Sequence, residues 1–136
     1  MSISQIPKPQ SLSFIDSKAV TAKPEFYTKI EIDIAKIIQN WRLSVFSYEW
    51  LNPDGSIKPL DALKDKDQIK RQNIEDALRA NTPLDIPVLG IGIQDNVEIG
   101  SGKALLMTLL HHGVRVSPAH IPQSNREDFK DFLANG

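Results

Sequence analysis

The sequence predicts an α/β or α+β domain built on a small mixed sheet with helices packed around it, and three observations carry that reading. Lys29-Ile30-Glu31-Ile32 alternates polar with apolar residues, as a half-buried strand does. Ile34, Ile37, Ile38 and Trp41 fall at i, i+3, i+4 and i+7, the apolar stripe of a helix. Val97-Glu98-Ile99 runs directly into Gly100-Ser101-Gly102-Lys103 and then into the helix-favouring stretch from Ala104 to His112, so strand, glycine loop and helix follow one another.

Taken in order, residues 1–24 mix Ser, Pro, Lys and Gln without periodicity and read as an N-terminal arm, with Phe14 and Ile15 as its anchor on the domain in preference to an exposed contact for a partner. Residues 25–136 read as one domain. Its first strand ends at Asp33, whose carboxylate can accept from the free N–H groups of the helix that follows. Leu43 to Trp50 suits a strand or a continued helix equally. Asn52-Pro53-Asp54-Gly55 marks a tight turn, and Gly55 to Lys70 reads as a charged surface connection. A second helix is expected over about 68–80, with Ile74, Ala77 and Leu78 on one face, Glu75 paired to Arg79, and Pro83 barring continuation.

Asp85 to Ile93 reads as a buried strand with a bulge at Gly92, joined through Gln94-Asp95-Asn96 to Val97-Glu98-Ile99 as a hairpin. In the next helix Leu105, Leu106, Leu109 and Leu110 form the apolar face, and Gly113 suits the left-handed position that ends it. Val114 to Ile121 supplies one more extended segment, broken near Pro118. Ser124 and Glu127 have capping-box spacing ahead of a last helix with Phe129, Phe132 and Leu133 on its stripe.

The 136 residues are 40% hydrophobic, 24% charged and 7% aromatic, the composition of an ordinary globular chain, and they suffice for one core. Sixteen basic residues against seventeen acidic ones give a formal charge of -1, which argues against coating nucleic acid by bulk electrostatics. Cysteine is absent, so disulfides, thiolate metal sites and a cysteine nucleophile are excluded. Without a long apolar run or a leader pattern in the first residues, the expected location is cytoplasmic and no membrane partner is expected.

The sharpest chemical feature is Gly100-Ser101-Gly102-Lys103 at a strand-to-helix junction. The positive end of a helix and its unbonded N–H groups receive anions, while Ser101 and Lys103 add a hydroxyl and a charge. A Walker A loop is excluded, because Val97 stands where its first glycine belongs and Ala104 where its Ser or Thr belongs. The same residues also suit a purely structural tight turn. Glu98 and Arg71 are accessory candidates beside this loop. His111 and His112 fall on different helix faces, so no metal site is expected, and a helix C-terminus that favours imidazolium accounts for them.

The order of these elements resembles the ParB-like (ParB/sulfiredoxin) domain family. Ile30-Glu31-Ile32-Asp33, then Ile74 to Leu78, Pro87-Val88-Leu89, Val97-Glu98-Ile99 and Gly102 to Gly113 follow the family's sequence of elements over roughly residues 27–122. In the family's signature Gly102 matches the glycine and Ser101 the aspartate. Lys103 and Ala104 fall at its His/Glu/Arg positions, and Leu105 at the usual arginine. The resemblance implies the fold, and it implies phosphate recognition of a nucleotide or a nucleic-acid backbone at Gly100, Ser101, Gly102 and Lys103. Leucine cannot do the work of the arginine, so no catalytic residue and no cofactor is expected. Two other functions remain open from the sequence: a protein-interaction module whose glycine loop is structural, and a metal-dependent phosphotransferase or nuclease using Glu98.

Overall fold

The structure is a computed structural model that describes residues 12–41, 49–54, 56–92 and 95–134. It has a four-stranded mixed sheet in the order β2-β6-β4-β5, where β2 is Tyr27–Asp33, β4 Val88–Ile91, β5 Val97–Ser101 and β6 Val116–Pro122. β2 runs antiparallel to β6, β6 parallel to β4, and β4 antiparallel to β5. A separate parallel pair joins β1, Phe14–Ile15, to β3, Leu84–Asp85. The helices are α1 (Lys18–Ala22), α2 (Ile34–Trp41), α3 (Asp65–Ala80) and α4 (Lys103–His111).

α2 forms where its stripe predicts, and Ile34, Ile37, Ile38 and Trp41 are all buried. Asp33 Oδ1 accepts from the Lys36 amide at 3.2 Å, the expected cap. Removing it as Asp33→Ala is expected to cost about 1 kcal/mol, a fall of about 4 °C in the melting temperature read by calorimetry. α4 contacts both α2 and α3, and Leu105, Leu106, Met107 and Leu109 are buried in the one hydrophobic cluster that also holds Ile32, Leu89, Val97, Ala119, Ile121 and Phe129. The helix ends as predicted: Gly113 has φ 85, its amide bonds Leu110 O at 2.9 Å, and the Val114 amide bonds Leu109 O at 2.9 Å, a Schellman ending.

Several expectations are corrected. Residues 12–24 of the expected arm hold β1, α1 and a 3-10 turn at Pro24–Phe26. Val20 is buried there, and Leu12 and Phe14 pack against the core, whereas Ile15 is half exposed. A two-residue strand has no periodicity to read, and only its pairing with β3 creates it. The connection after the turn is not wholly a surface segment, because Leu63 and Asp67 are buried and α3 starts already at Asp65. Arg79 pairs with Asp76 at 2.7 Å and not with Glu75.

The strand expected over 85–93 is interrupted at Ile86-Pro87, and the register shift lies between Val88 and Leu89, not at Gly92. β6 passes through Pro118 unbroken. The His120 amide points toward the β4 side, to Pro87 O at 2.9 Å, so by the two-residue alternation the Pro118 nitrogen faces that side too, ahead of the single β4 register position at His120. The last segment is 3-10 in form, Gln123–Asn125 and Glu127–Phe132, with no side-chain cap. Its chain must return to the sheet edge, where Leu133 pairs with Ile32 and the Ala134 amide reaches Glu31 O at 3.0 Å. Phe129 is fully buried all the same. Residues 43–48, Gly55, Ile93 and Gln94, which carried further expectations, lie outside the described residues.

Candidate functional site

The strand-to-helix junction opens on a cavity of about 830 Å³, within the size range of small-molecule sites. One wall is Ile99 to Leu105, the end of β5 and the first turn of α4. The facing wall is the exposed flank of α3, with Lys70, Asn73, Ile74 and Ala77. Pro83 to Ile86, Ser17, Ala19 and Trp50 complete it. The glycine loop is shorter than the sequence implies, since Gly100 and Ser101 belong to β5 and Gly102 alone makes the turn.

Gly102 has φ 93, a conformation that side chains with a Cβ rarely adopt, and a Cβ there would lie 2.5 Å from Pro87 Cβ. The glycine thus lets α4 start immediately against the β3–β4 corner. No side chain caps the helix. Its first turn closes with the Leu106 amide on Gly102 O at 3.0 Å, and the amides of Lys103, Ala104 and Leu105, residues of the cavity lining, have no partner among the described residues.

Among the described residues, the cations Lys70 and Lys103 line the cavity against the carboxylate Asp85. The Lys103 ammonium stands 5.9 Å from the centre of the Trp41 ring, a cation–π contact that holds the charge near the helix start. Glu49, kept below the usual carboxylate range first by its hydrogen bond from Lys64, also feels the Lys103 charge. The balance at the junction is a helix N-terminus with surplus positive charge over a wall of Ile74, Ala77, Leu84, Ile86, Ile99 and Leu105. Such a site can hold an anionic group at one end and an apolar or aromatic group at the other.

The structure brings Gly100, Ser101, Gly102 and Lys103 together at this cavity, but it does not bring Glu98 or Arg71 to it. Glu98 is exposed on β5 beside the lining residue Ile99 and therefore faces the other side of the strand. Arg71 is 3% exposed and turned inward, its Nε 3.1 Å from Glu75 Oε2. Glu75 also meets His112 Nε2, at 2.8 Å and 3.0 Å from its two oxygens. His112 is thus explained by a carboxylate partner. At His111, partial burial and then the Arg71 and His112 charges lower the pKa, which runs against the favoured imidazolium expected there. Burial likewise lowers the pKa of His120, despite Asp16 at 3.5 Å. Among the described residues no cluster of His, Asp or Glu could hold a metal ion.

Sequence reasoning missed Lys70, Asn73, Ser17 and Trp50. The first two had a legible signal, because they share the polar flank of α3 adjoining Ile74 and Ala77; the last two come from segments that no local pattern links to the loop. By fold and site the molecule is an α/β domain whose central glycine-headed helix opens on a ligand-sized cavity. No protein-family model, curated protein or solved structure matches the chain. No helix among the described residues is long and apolar enough to cross a membrane.

Proposed function

We propose that the chain binds a phosphate-bearing ligand of nucleotide size, held by its phosphate at the start of α4. One observation carries this reading: the first turn of α4, whose three leading amides have no partner among the described residues, lines a cavity of about 830 Å³ together with Lys70. The amides of Lys103 and its neighbours bond the phosphate oxygens, Ser101 adds its hydroxyl, and Lys103 supplies charge. A cavity of this size suits a free nucleotide better than a continuous nucleic-acid backbone. The resemblance to ParB-like domains supports the same reading, since the elements that carried it are present as β2, α2, α3, the β4–β5 hairpin and α4. No catalytic role is proposed.

Calorimetric titration with nucleoside triphosphates and with short DNA, repeated on Lys103→Ala, tests the reading. A nucleotide is expected to bind, and the variant to weaken it about tenfold, the loss of one charge-assisted hydrogen bond. Absence of binding, or binding indifferent to the lysine, overturns it.

A further inference from the structure

Two residues of the cavity lining each carry a buried polar side-chain atom without a hydrogen-bond partner. Trp50 is 0% exposed and lines the cavity, yet its Nε1, an N–H that can only donate, has no hydrogen-bond partner. Ser17 lines the same cavity, and its Oγ is likewise buried and without a partner. Neither atom is open to solvent, so water does not serve them in this conformation. Native proteins satisfy nearly all such groups, and an exception beside a cavity marks a place where the missing partner arrives with a ligand.

These atoms sit on segments remote in sequence from the junction. Ser17 precedes α1 and Trp50 precedes the turn at Asn52 to Asp54, whereas the anion donors belong to α4. A bare phosphate seated on the first turn of α4 satisfies the amides and Lys103, and leaves the apolar wall without a partner. A ligand that spans the cavity brings its organic part against the apolar lining of Ile74, Ala77 and Leu84, a lining to which Trp50 and Ser17 also belong. Because neither atom is reached by solvent in this conformation, an acceptor meets the indole N–H as lining side chains rearrange around the ligand.

We propose that the ligand is a phosphate ester whose organic part carries a hydrogen-bond acceptor received by Trp50 Nε1, with Ser17 Oγ as the second polar contact, so that the site selects against inorganic phosphates. This rests on the anion reading above and adds to it the recognition of the non-phosphate half. An uncharged ring or sugar oxygen or nitrogen meets the requirement. A second anionic group does not, because it would enter the apolar wall unpaired.

The test compares the four ribonucleoside triphosphates with inorganic tripolyphosphate, which shares their anionic chain and lacks the nucleoside. At least one nucleotide is expected to bind tenfold or more tightly than tripolyphosphate. Trp50→Phe, which removes the N–H, and Ser17→Ala are each expected to weaken that nucleotide about tenfold while tripolyphosphate binding is unchanged. Because Trp50 is wholly buried, its variant can lose stability; Ser17→Ala, and the emission of Trp50 as the sole tryptophan in Trp41→Phe, keep the proposal testable. Nucleotide but not tripolyphosphate is expected to shift that emission. Equal affinity for both probes, weakened alike by Lys103→Ala and untouched by Trp50→Phe or Ser17→Ala, overturns this inference and leaves the anion site standing. Failure of every probe to bind, or binding that ignores Lys103, overturns both.

Discussion

Glu75→Leu is expected to lower the stability of the domain by about 3–5 kcal/mol, the usual cost of breaking a buried ion pair from one side. Arg71 is 3% exposed and its Nε lies 3.1 Å from Glu75 Oε2, while its Nη1 has no partner at all. Removing the carboxylate leaves that guanidinium uncompensated in the interior. The same carboxylate receives His112 at the end of α4, so the substitution also cuts the polar tie between α3 and α4. Those two helices form facing walls of the cavity, and loosening them is expected to weaken ligand binding as well. Glu75→Gln, which keeps an acceptor oxygen, is expected to lose less than half as much. Urea denaturation measures both, and a leucine variant within about 1 kcal/mol of the parent would show that Arg71 finds another partner or water.

Gly102→Ala is expected to cost about 2–5 kcal/mol, from two separable sources. A residue with a Cβ pays roughly 1–2 kcal/mol at φ 93, and overpacking a tight contact adds about 1–3 kcal/mol. The contact is tight because the new methyl would meet Pro87 Cβ at 2.5 Å and Pro87 Cα at 2.9 Å, and the second of these is backbone that cannot swing away. Gly113→Ala is the internal control. It has φ 85 and nothing within 4 Å of the added carbon, so only the conformational part of the penalty applies, roughly 1–2 kcal/mol. The gap between the two variants in chemical denaturation measures the Pro87 contact, and equal losses would mean that the corner gives way. A shifted junction also displaces the α4 amides, so Gly102→Ala is expected to lose nucleotide binding where Gly113→Ala keeps it.

The legible parts of the fold are those whose signal is contained in a dozen residues. The stripe Ile34, Ile37, Ile38 and Trp41 and the cap at Asp33 predicted α2 almost to the residue, and Gly113 predicted the end of α4. The illegible parts depend on a partner elsewhere. Pro118 looks like a strand breaker in isolation, and becomes harmless because its missing N–H faces a side of β6 where β4 has not yet begun. The last segment has the spacing of a capped helix, yet its pairing with the edge of β2 draws it into a 3-10 form.

The candidate site divides along the same line. Gly102 and Lys103 were readable, since a strand, a glycine and a leucine-rich helix in succession place unbonded amides at one point of the chain. Arg71 was readable as a polar residue on α3 and was expected as an accessory to the loop, because a weak apolar stripe leaves the rotation of that helix undecided until α4 packs against it. From the sequence alone came the local elements and the amides at the helix start. Only the tertiary structure decided that Lys70, Asn73, Ser17 and Trp50 share a cavity with them and that Glu98 and Arg71 do not. Periodicity and capping act between neighbours along the chain, whereas a cavity is defined by surfaces that burial of the core brings together from distant segments.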